Sequence, residues 1–120
     1  MKYLLMIYLN DSMFESLTED ERNAIFAGHD TLIQKIRESG EFVGTAALTN
    51  PTQSKTVRVR EGGTSVTDGP YIETKEYLAG YYAVDCESTQ RAIELAAMIP
   101  DAALTAIEVR PVMDESGLEI

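Results

Sequence analysis

The chain has 120 residues, 44% apolar and 25% charged, the composition of one globular domain over 1–120 with a buried core rather than of a disordered segment. Its net charge of −10 makes a surface that repels phosphate backbones and anionic lipid, so neither nucleic acid nor membrane is an expected partner. Cys86 is the one cysteine, which excludes an intrachain disulfide and a cysteine-based zinc site and fits a reducing, cytoplasmic setting.

Residues 3–9 are apolar on both alternating faces, the pattern of a strand covered on two sides. The run is too short for a membrane span, and no small-residue cleavage site follows it. Residues 10–16 read as a loop. Thr18 with Glu21 three positions later predicts a capping box, and Ile25, Leu32, Ile33 and Ile36 recur at helical spacing until Gly40, giving a helix over 19–39. A second strand is expected over 41–49, broken by Asn50-Pro51. Residues 55–60 alternate, with Val57 and Val59 expected inward, and Gly62-Gly63 turns them into a hairpin partner over 64–67. The charged stretch 71–77 reads as a loop. Residues 78–86 form another strand apolar on both faces. A short helix starting at Glu87 or Ser88 ends at Pro100. Residues 106–112 alternate as a half-exposed strand, and the polar tail from Asp114 reads as loose.

The order β, α, β, hairpin, β, α, β fits an α+β fold of ferredoxin-like βαββαβ type with an inserted β-hairpin. In that arrangement the first and third main strands are central, and they are the two that are apolar on both faces. Two helices cover only one face of such a sheet. A second copy of the chain is the expected cover for the other, giving a homodimer.

The stretch Val66-Thr67-Asp68-Gly69-Pro70-Tyr71-Ile72-Glu73-Thr74-Lys75-Glu76, followed by Leu78-Ala79-Gly80-Tyr81-Tyr82, resembles the signature of the YCII-related proteins, in their DGPF-type branch. Lys2-Tyr3-Leu4-Leu5-Met6-Ile7-Tyr8 and Ile107-Glu108-Val109-Arg110-Pro111-Val112 are similar to the family's two ends. Tyr71 stands where the branch's name-giving Phe would. The resemblance implies a ferredoxin-like fold assembled as a dimeric α+β barrel. Some members are linked with extracytoplasmic-function sigma factors, and a few relatives are enzymes with a proposed His–Asp pair. The family's histidine lies on the first helix ahead of its terminal Gly, the position of His29 here, and Asp68 is the candidate acidic partner.

His29 is the one histidine, and it falls inside the helix's apolar stripe. Its imidazole serves there either as a satisfied structural group or as an acid–base catalyst. Asp68-Gly69-Pro70 has a purely conformational reading as a turn. Tyr81 and Tyr82 read as core and interface aromatics, and Cys86 as a small buried residue. No Walker or Rossmann glycine spacing, nucleophile elbow or spaced metal-ligand set is present. The sequence thus leaves two functions open. One is a small-molecule enzyme using His29 and Asp68 for acid–base chemistry without a cofactor. The other is a non-catalytic, ligand- or protein-binding regulatory module linked to transcription.

Overall fold

Strand β1 (Lys2–Asn10) runs through the middle of a four-stranded antiparallel sheet in the computed structural model, which describes residues 1–116. Its neighbours are β5 (Glu76–Asp85) on one side and β6 (Ala106–Pro111) on the other, and β2 (Phe42–Ala47) pairs with the far edge of β5. The two strands with apolar residues on both faces are therefore the central ones. The sheet, with helices α1 (Asp11–Glu15), α2 (Glu19–Glu38) and α3 (Thr89–Ala97), makes a mixed α+β domain consistent with a ferredoxin-like fold.

Helix α2 begins at a capping box: the Thr18 hydroxyl accepts from Glu21 N–H while the Glu21 carboxylate accepts from Thr18 N–H. It ends where Gly40 takes φ +80°, with Gly40 N–H donating to the Arg37 carbonyl and Glu41 N–H to that of Ile36. Leu32 and Ile36 from α2, and Ala92, Leu95 and Ala96 from α3, pack on Tyr3, Leu5, Ile7, Tyr82 and Val84 of the central strands. Fully burying a side chain of this size contributes roughly 1.5–3 kcal/mol, so this layer dominates the fold's stability. Arg91 of α3 ties the layer to the strand side by donating from Nε and Nη2 to the two oxygens of Glu41. On the opposite face, where α2 and α3 do not pack, Leu4 and Met6 stand beside Ala83 and Tyr81, and Leu4, Met6 and Tyr81 are half-buried.

Three readings change. Residues 11–15 are helical rather than looped, because the Asn10 side chain accepts from Ser12 N–H and caps a short turn. β5 starts two residues before the expected 78. The hairpin forms as expected from β3 (Lys55–Arg60) and β4 (Gly63–Asp68), but as a separate two-stranded sheet. Val57 and Val59 are 60% and 68% exposed, while Thr56 between the strand's ends is the buried residue. No second layer lies behind the valines among the described residues, so alternation there marks two faces without making the valine face the inner one. The expectation for the tail beyond residue 116 lies outside the described residues.

Candidate active site

Helix α2 carries His29 on its inward side, one residue after Gly28. A Cβ placed at Gly28 would sit 2.7 Å from Cγ of Pro100, so the absence of a side chain lets the helix close on the 3-10 turn Pro100–Ala103. Asp101 is the next residue of that turn. The close approach of Gly28 to Pro100 thereby brings His29 to Asp101, with His29 Nε2 2.5 Å from Asp101 Oδ1. On the other side His29 Nδ1 lies 2.6 Å from the Tyr82 hydroxyl of β5. The two rings lie within 16° of parallel, with centroids 5.8 Å apart.

The chemistry of the partners assigns the protons. In the tautomer that satisfies all three groups, Nε2–H donates to the Asp101 carboxylate and Nδ1 accepts from Tyr82. Burial and then the Asp101 charge push the Tyr82 phenol up to about 12, so it keeps its proton near neutrality and donates O–H to Nδ1. Asp101 and Tyr82 are only 4% and 2% exposed. Together the three residues form a hydrogen-bonded chain, Tyr82 to His29 to Asp101, drawn from three separate elements.

This chain lies in the wall of a cavity of about 630 Å³ between α2 and the β2–β5 side of the sheet. Most of the wall is apolar, from Ile7, Leu9, Phe14, Ile25, Ile33 and Leu48 among others. Gly80, in that wall, lets β5 run close to β2, since a Cβ there would meet the Ala46 carbonyl oxygen at 2.6 Å. A second cavity of about 780 Å³ lies alongside and is lined by the Asp68-Gly69-Pro70 turn. The two share Asp11, Asn50 and Tyr77. There the Asp11 carboxylate accepts from both the Tyr77 hydroxyl and the Asn50 amide. Burial, reinforced by that bond to Asp11, pushes the Tyr77 phenol up to about 12.

Of the two residues singled out from sequence, only His29 lies in the His29 cavity. The structure does not bring Asp68 to His29. The Asp68 side chain is 86% exposed and ion-paired with Lys55 across the hairpin, and it lines only the neighbouring cavity. The turn it begins is conformational in the way Asp-Gly-Pro suggests: Gly69 takes φ +94°, donates to the Ser54 carbonyl and accepts from the Thr56 hydroxyl. Asp101 and the Tyr82 hydroxyl are the groups sequence reasoning missed. The local signal for Asp101 was slight, an acid directly after the helix-ending Pro100. Cys86 is buried, and burial pushes its thiol up, as befits a packing residue. Among the described residues no three His, Cys, Asp or Glu side chains converge as a metal-ligand set.

An antiparallel α+β domain with a half-buried histidine paired to a buried carboxylate beside an apolar cavity defines a class of small pocket-bearing proteins. The YCII-related domain matches residues 1–116, and the chain belongs to that family. A curated relative, an uncharacterised protein of Rhizobium meliloti (strain 1021), is 32% identical over 113 residues, which cover 92% of this chain and 91% of that protein. Among the described residues no helix is long and apolar enough to cross a membrane.

Proposed function

We propose that the protein is a small-molecule enzyme whose chemistry is proton transfer through Tyr82, His29 and Asp101, and that it stands in the DGPF-type branch of its family. The observation that carries this reading is the hydrogen-bonded chain of the three residues in the wall of an apolar cavity. Both nitrogens of His29 are engaged, so a substrate proton passes by way of the Tyr82 hydroxyl. As the phenol oxygen takes a proton from substrate carbon or oxygen, its own proton moves to His29 Nδ1. The substrate keeps the bonding electron pair, and the resulting imidazolium faces the Asp101 carboxylate. The reverse movement delivers a proton, and isomerisation or loss of a leaving group follows from the pair of steps. Acid–base chemistry of this kind requires no cofactor and supplies ~10²–10⁴-fold of rate. A low-dielectric site strengthens the stabilisation of the imidazolium.

The test is exchange of the α-hydrogens of 2-tetralone in D₂O followed by proton NMR. The natural chain should accelerate exchange over buffer, and His29→Gln and Tyr82→Phe should each abolish the acceleration. Exchange no faster than buffer, or retained in His29→Gln, would sink the reading.

The regulatory alternative has one observation in its favour: every hydrogen-bonding position of the His29 ring is already filled by the protein. In that reading the three residues clamp α2, β5 and the Pro100 turn, and the cavity binds a ligand without changing it. For either reading we place the protein in the cytoplasm as a homodimer, supported by the free buried Cys86 and by Leu4, Met6 and Tyr81 on the sheet face away from α2 and α3.

A further inference from the structure

We infer that the His29 cavity takes an uncharged, largely apolar molecule and rejects anions, an inference that rests on the acid–base reading for its choice of site. The acidic side chains in the wall are Asp11, Asp30 and Asp101, and neither Lys nor Arg is among the lining residues. Arg22 stands close by, 5.3 Å from the Phe14 ring centroid; its Nη2 donates to the carbonyls of Phe14 and Glu15, and its Nε, buried without a partner among the described residues, lies outside the residues that line the cavity. In the adjoining cavity Lys75 is outnumbered by Asp11, Asp68 and Glu73.

Recognising a carboxylate or phosphate needs charged or free donors aimed at it. The donors here are engaged elsewhere. Asn50 and Tyr77 donate to Asp11, Thr45 to the Tyr81 carbonyl, and His29 to Asp101. An anion ~6 Å from one of the wall carboxylates is repelled by enough to weaken binding about 100-fold at an effective dielectric constant of ~20. A cation would be attracted, yet it would lose its hydration against a wall that is mostly hydrocarbon. A neutral apolar body has neither cost, and a single hydroxyl on it can donate to the Tyr82 oxygen, whose own proton goes to His29 Nδ1.

Three probes on one skeleton separate the cases: 2-naphthalenemethanol, 2-naphthoate and 2-naphthylmethylammonium. Each is titrated into the whole chain while the ring signals of the single histidine are followed by NMR. The alcohol should shift those signals saturably and bind at least ~30-fold more tightly than the naphthoate. Naphthoate binding as well as the alcohol, the ammonium binding best, or no probe shifting the histidine would each overturn the inference. Leu48→Arg, a substitution at an exposed position of the cavity wall, should then confer naphthoate binding, and failure to do so would remove charge as the cause. A chain that prefers the alcohol yet catalyses no exchange on 2-tetralone counts against acid–base catalysis alone. A chain that catalyses exchange but binds naphthoate equally counts against the charge preference alone.

Discussion

Replacing His29 with Ala should cost far more stability than a helix-surface substitution, and the cost should fall mostly on its partner. Among the described residues Asp101 has one side-chain hydrogen bond, to His29, and its side chain is only 6% exposed. Truncating His29 leaves that carboxylate buried without a donor. Stranding one member of such a pair typically costs ~3–5 kcal/mol, against ~0.5–1.5 kcal/mol for a neutral hydrogen bond simply lost. Allowing for water entering through the cavity, we expect about 2–4 kcal/mol for His29→Ala and about 1 kcal/mol for Tyr82→Phe, where no charge is stranded. The double variant His29→Ala with Asp101→Ala should be destabilised by less than the sum of the two singles, because each single alone leaves an unsatisfied group. Urea titrations followed by circular dichroism measure all four corners of the cycle, with comparable m-values as the check that unfolding stays two-state. Additive single effects below ~1 kcal/mol would refute the reasoning. They would mean that Asp101 is already solvated and that the two residues are neighbours without being a pair.

Alkaline absorbance titration should show Tyr77 and Tyr82 ionising near pH 12, and Tyr82→Phe should remove one of these late equivalents. Both phenols are raised above their ordinary value of 10.0, so their contribution to stability is full below pH 10 and is lost as pH climbs toward 12. On the acid side, Arg91 holds the Glu41 carboxyl below its ordinary 4.5, a contribution present above pH 4.5 and lost as pH falls below it. Glu41→Gln should flatten that acid limb in a urea-midpoint profile against pH, and an unchanged slope would dismiss the pair as a contributor. Gly28→Ala should push Pro100 away from α2 and lengthen the His29–Asp101 contact, abolishing 2-tetralone exchange while circular dichroism stays near native. Light scattering at micromolar concentration should report twice the chain mass, and a monomer would leave the Leu4–Met6–Tyr81 face without its expected cover.

The elements visible in the sequence were those with local causes. Thr18 and Glu21 lie one helical turn apart, so the start of α2 is written in four residues, and Gly40 marks its end by the backbone angle it alone takes easily. Strands β1 and β5 were visible as central because residues on both of their faces are apolar, a demand that only a two-sided environment makes. Where a residue's environment depends on what lies behind it, the pattern fell short. Val57 and Val59 alternate as they would over a core, but among the described residues no layer lies beneath the hairpin.

The site follows the same division. Periodicity put His29 on the inward face of α2, yet the identity of its partner is set 72 positions away by how closely Gly28 lets the helix approach Pro100. Tyr82 was legible as a core aromatic, and the backbone pattern that buries its ring is indifferent to its hydroxyl. Only the meeting of β5 with α2 turns that hydroxyl into the donor for His29 Nδ1. Each of the three residues is therefore explained separately by local packing, whereas their joint chemistry is a product of the tertiary fold. That is why substitutions at Gly28, which touches neither Tyr82 nor Asp101 in sequence, test the proposed relay as sharply as substitutions within it: displacing Pro100 costs stability in either reading, but only a proton relay would lose exchange while the chain remained folded.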